Sequence, residues 1–154
     1  MIMGAQRLHP DFPVAEGRHP LDREWSLFLP AKFNRRTADG NLVLWRPGLT
    51  AWAAIWSNTG NESAGQRLAR IKNTATADAA FVRETWRERL LFLIYRLHGS
   101  TEDERGPTLY CFVLADSGHV ELAIHFDHEH DMPIAESICA SVRNARLERM
   151  GLRS

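Results

Sequence analysis

Three apolar stretches, Arg89 to Leu97, Thr108 to Ala115 and His119 to Phe126, follow one another with links too short for a crossover connection. Parallel neighbours need a connection of a dozen or more residues, usually a helix, so these stretches must pair antiparallel. The last of them alternates: Val120, Leu122, Ile124 and Phe126 point one way, and His119, Glu121, Ala123, His125 and Asp127 the other. Asp116-Ser-Gly118 supplies the hairpin turn before it.

A second set of strands precedes this one. Trp25-Ser-Leu-Phe-Leu-Pro30 reads as a short strand closed by proline, and Ala38-Asp-Gly-Asn41 as a turn into Asn41–Trp45. Arg46-Pro-Gly48 then turns the chain into Leu49–Trp56, completing a hairpin. Thr50, Trp52, Ala54 and Trp56 share one face of that strand and Leu49, Ala51, Ala53 and Ile55 the other, which suits a central strand. Between the two sets, Ala64, Leu68 and Ile71 mark a helix over 62–72 with Arg67 and Arg70 outside, and 77–86 reads as a short second helix. A closing helix starts near Pro133 and buries Ile134, Ile138, Val142 and Ala145, with Asp131 as its cap. The expected fold is α+β, a mainly antiparallel β-sheet with helices packed on it in the order β-β-β-α-(α)-β-β-β-α. Pro10, Pro13 and Pro20 make residues 1–23 an extended N-terminal arm, leaving 24–154 as a single α+β domain.

That order resembles the PsbP/DcrB-like α/β-sandwich proteins, through Trp25-Ser-Leu-Phe-Leu-Pro30, Gly40-Asn-Leu-Val-Leu44, Gly118–Phe126 and Ile134–Val142. The likeness is one of topology and spacing, and it carries no functional residue over. It implies a non-catalytic binding protein, such as an assembly factor or a secretion-effector chaperone.

Composition removes several other classes. Among 154 residues, 44% are hydrophobic and 25% charged, with 19 basic against 19 acidic side chains. A chain of zero formal charge has no overall field to gather nucleic acid or an anionic membrane. No apolar run reaches the roughly 18 residues of a membrane span, and the N-terminus lacks a signal-peptide core, so a cytoplasmic location is expected. Only Lys32 and Lys72 are lysines, so the basic charge is almost all arginine. Arg143, Arg146, Arg149 and Arg153 form a basic end to the closing helix. No nucleophile elbow or phosphate loop is present. Cys111 and Cys139 fall in apolar patterns, as buried thiols do, so no catalytic residue is nominated.

Two local features remain. Trp45, Trp52 and Trp56 fall within one hairpin, either as core under the helices or as an aromatic face for a partner, since tryptophan is enriched at interface centres. The other is His125-Phe-Asp-His-Glu-His-Asp131, where His128 and His130 project to one side if the backbone is extended. It reads as a polar strand-to-helix connection, or alternatively as a metal site built from His125, His128, His130 and Asp131. The reading adopted is a non-enzymatic accessory protein without cofactor, a chaperone- or immunity-like partner of another protein. The alternative is a small metal-dependent enzyme using the His125–Asp131 cluster.

Overall fold

A computed structural model describes residues 8–58, 60–74, 79–97 and 107–151. Its strands run β1 (Val14–Pro20), β2 (Trp25–Ala38), β3 (Asn41–Arg46) and β4 (Leu49–Ser57), followed by the helix α1 (Ala64–Thr74). Next come β5 (Ala80–Arg87), β6 (Leu90–Leu97), β7 (Thr108–Ala115) and β8 (Gly118–Phe126). The chain then closes with α2 (Met132–Ala140), the two-residue β9 (Arg143–Asn144) and α3 (Ala145–Gly151). The fold is thus α+β and mainly antiparallel, as expected. The spatial order is β1-β2-β3-β4-β8-β7-β6-β5, with β9 paired to the start of β2. β4 is central, lying between β3 and β8.

The inner face of the sheet packs on α2. Leu122 and Ile124 of β8, Cys111 and Val113 of β7 and Leu27 and Leu29 of β2 are fully buried there with Ala135, Ile138 and Cys139 of the helix. Both ends of the strand order reach this helix. Arg18 of β1 donates to the Ser141 carbonyl (2.7 Å) and the Phe28 amide of β2 donates to Ser141 Oγ (2.8 Å). From the opposite edge, Arg83 of β5 pairs with Glu136 (3.1 Å) and Arg87 donates to the Ala140 carbonyl. A sheet whose two edges touch one helix must curl around it.

Three expectations are corrected. Residues 77–86 are not a helix: 80–87 form β5, while 77 and 78 lie outside the described residues. The segment is rich in residues that favour strands (Phe81, Val82, Thr85, Trp86), and a bulge between Ala80 and Arg83 blurs its alternation. The strand from Trp25 does not stop at Pro30 but bends there. Ala15 pairs with Phe33 and Gly17 with Leu29, so the stretch around Pro30 bulges out of the ladder, a place where a missing N–H costs little. Residues 14–20 of the N-terminal arm are extended and form the edge strand of the sheet. Finally, the closing helix ends at Ala140, and Val142 packs in the core from a connection while Asn144 Oδ1 accepts the Leu147 amide to start α3. The buried stripe of α2 is accordingly Ala135, Ile138 and Cys139, with Ile134 only half-buried.

Candidate functional site

The outer face of the sheet is divided. Over β6 and β7 it is covered by α1, whose Ala64, Leu68 and Ile71 pack on Leu91, Leu93, Tyr95, Phe112 and Leu114. Ser63 and Gln66 begin that helix with reciprocal side-chain-to-amide bonds (3.1 and 2.9 Å), a capping box. Over β8, β4 and β3, no helix among the described residues lies on the sheet. The alternation of β4 sends Thr50, Trp52, Ala54 and Trp56 to this open half. The register sets Trp45 beside Thr50, Trp52 between Val43 and Ala123, and Trp56 beside His119. The three tryptophans named from the sequence therefore share one face.

They do not share one environment. Trp45 is half-buried, with Phe12 packed edge-on against it (5.0 Å) and the Arg36 guanidinium 5.7 Å from its ring. Phe12 is held there because buried Asn34 donates to the His9 and Phe12 carbonyls and accepts the His9 amide (2.6 Å). Trp52 is half-buried, and Trp56 is 54% exposed. Trp56 stacks on His119 with centroids 6.3 Å apart and planes 20° from parallel.

Beneath His119 lies a residue whose position the sequence did not show. Arg67 of α1 was expected outside but is 2% exposed. Its guanidinium donates to the Ala115 carbonyl and to His119 Nδ1 (3.2 Å), while its Nε has no partner. Burial, reinforced by the nearby charges of Arg67 and Arg70, holds His119 down at about 4. The imidazole is therefore neutral near pH 7 and free to accept from Arg67. The helix thus braces the histidine, and the histidine braces Trp56. Helical spacing alone places Arg67 on the buried face, three residues after Ala64 and four before Ile71; only its charge argues for solvent.

The histidine segment is arranged differently. His125 faces outward from β8 and its Nδ1 lies 2.8 Å from the Thr108 hydroxyl. His128 and His130 stack on each other at 5.2 Å, and His130 Nε2 lies 3.6 Å from Asp131. Among the described residues, no three His, Cys, Asp or Glu side chains converge as ligands of one ion. His125 is engaged with Thr108 on the strand, while His128 and His130 stack on each other beyond it. Asp131 precedes α2 as expected, but its carboxylate caps no amide.

Cys111 and Cys139 are free and buried. They meet between β7 and α2, where the hydrogen bond to Cys111 and then burial push the Cys139 thiol well up, the reverse of an activated nucleophile. Among the described residues no helix is long and apolar enough to cross a membrane. Comparison with protein-family models, curated proteins and solved structures finds no match for this chain.

Proposed function

We propose that the protein is a non-catalytic accessory module, chaperone- or immunity-like, that receives a protein partner on the open half of its outer sheet face. The observation that carries this reading is the exposed indole of Trp56, held on a braced imidazole beside half-exposed Trp52. A rigid aromatic side chain loses little freedom on binding, and such residues dominate interface energetics. The centre of the face bears Ala54, Ala123, neutral His119 and a single carboxylate, Glu121, so it fits a partner patch with an uncharged, apolar centre. The resemblance to the PsbP/DcrB-like binding proteins supports the same reading.

The test is a titration calorimetry series on a partner first captured from host extract and then purified. Trp56→Ala should raise its Kd by about 30-fold or more, the loss typical of a hot spot. His128→Ala/His130→Ala should leave it unchanged. A folded Trp52→Ala/Trp56→Ala variant that keeps the wild-type Kd would remove the reading.

A further inference from the structure

Where the two sheet edges approach α2 they do not meet. A cleft of about 1070 Å³ remains between β1–β2, the β5–β6 turn and the end of α2. Its rim carries Arg18, Arg87, Arg89 and Arg143 against only Glu88 and Glu148, and Glu148 already lies 3.6 Å from Arg143. Its apolar lining is Leu90, Val142 and Leu147, with exposed Phe28 at its mouth. A second hollow of about 370 Å³ adjoins it, floored by Phe92 and Ile94, and the two share Arg87 and Ala140. The Arg87 guanidinium lies over the Phe92 ring at 4.5 Å, at the junction between them.

Two further observations mark this place. Glu88 and Arg89, the tip of the turn, both have positive φ (50° and 70°) without being glycine or asparagine. Positive φ at both central residues is what a two-residue type I′ hairpin turn requires, and here the turn sets Glu88 and Arg89 at the lip of the cleft. Burial and then the Arg143 charge lower the pKa of Arg18, with Glu148 acting the other way, so these three charged groups lie close together. Four guanidiniums face two carboxylates on this rim, an excess of positive charge that an added anion offsets, and arginine binds a carboxylate bidentately.

We infer that this cleft is a binding site for an amphipathic monocarboxylate, with the carboxylate among Arg18, Arg89 and Arg143 and the alkyl body running past Arg87 toward Phe92 and Ile94. The size is that of a small-molecule site rather than of a single inorganic ion. The apolar lining disfavours a polyanion, which would leave it wet. None of Trp45, Trp52 and Trp56 lines the cleft, and the site is independent of the proposed docking face.

The experiment is calorimetric titration of the full chain with dodecanoate below its micellar concentration. Acetate and dodecyltrimethylammonium serve as head-only and opposite-charge probes. Saturable binding of about one dodecanoate per chain is expected, with no measurable acetate binding and at least about ten-fold weaker binding of the cation. Arg89→Gln/Arg143→Gln, both at exposed positions, should weaken dodecanoate by about ten-fold or more. Glu88→Gln removes a competing carboxylate and should tighten it, which keeps the idea open to refutation even if the double variant misfolds. Absence of dodecanoate binding, equal binding of the cation, or indifference to both variants would overturn the assignment. Binding of acetate as tight as dodecanoate would show an adventitious anion site and overturn it too.

Discussion

At the scale of single residues, the molecule turns on polar groups buried where periodicity expects none. His119 is held neutral, with a folded pKa of about 4 against an ordinary 6.5. Between those values the unfolded chain binds more protons than the folded one, so stability is full above the ordinary value and falls as pH drops through this window. His19, lowered by burial and then by Arg35, acts in the same direction. The urea midpoint should therefore be lower near pH 5 than near pH 7, and His119→Leu should flatten much of that dependence. An unchanged slope in the variant would mean that the imidazole is protonated in place. Gly118 makes a second residue-scale case. A Cβ there would overlap the Trp56 carbonyl oxygen across the ladder, and backbone on both sides prevents an easy shift. Gly118→Ala should cost about 1–3 kcal/mol or more by overpacking, read as a fall in the denaturation midpoint. No such loss would mean that β4 and β8 are spaced more widely at this end.

At the scale of elements, α2 shows what a sequence pattern conveys and what it leaves out. Its burial against Leu122, Ile124 and the start of β2 makes Ile138, fully buried, the largest side chain of its core stripe. Ile138→Ala should cost roughly 2–5 kcal/mol, and half-buried Ile134→Ala clearly less. Equal losses measured by chemical denaturation would restore the stripe expected from four-residue spacing. That spacing placed Ile134, Ile138 and Val142 on one helix because nothing at Ser141 resembles a stop signal. The stop is tertiary: Ser141 Oγ and its carbonyl are taken up by β2 and β1. The β2–β3 and β3–β4 hairpins and β8 were legible because Gly40 and Gly48 occupy positive-φ turn positions and β8 has one apolar face. β5 was not, because its hairpin turn uses Glu88 and Arg89, residues that carry no turn signal, and its Val82 and Trp86 are exposed. The tryptophans' shared face followed from alternation and turn positions. The cleft did not, since its arginines come from β1, β5, β9 and the β5–β6 turn, brought together only by the curl of the sheet.

At the scale of the whole molecule, the curl leaves a sheet with two free edges and one helix that both edges hold. The clasps are polar and exposed: Arg18 to the Ser141 carbonyl from β1, and Arg87 to the Ala140 carbonyl with Arg83 to Glu136 from β5. Each such bond contributes about 0.5–3 kcal/mol, so no single clasp is indispensable to folding. The core between β7, β8 and α2 is held by apolar packing, with Cys111, Leu122, Ile124 and Ile138 fully buried in it. Proteins open in cooperative units graded by local packing, and a helix held partly by peripheral clasps should open before the central strands. In Arg18→Ala/Arg87→Ala, amide exchange over 132–140 should therefore accelerate while exchange in β7 and β8 stays near wild type, with a modest fall in thermal midpoint. The single variants should each give a smaller acceleration, because the remaining edge still holds the helix. Uniform acceleration across helix and strands would show that the clasps act only through global unfolding, and no acceleration would show that apolar packing alone fixes α2 within the curl.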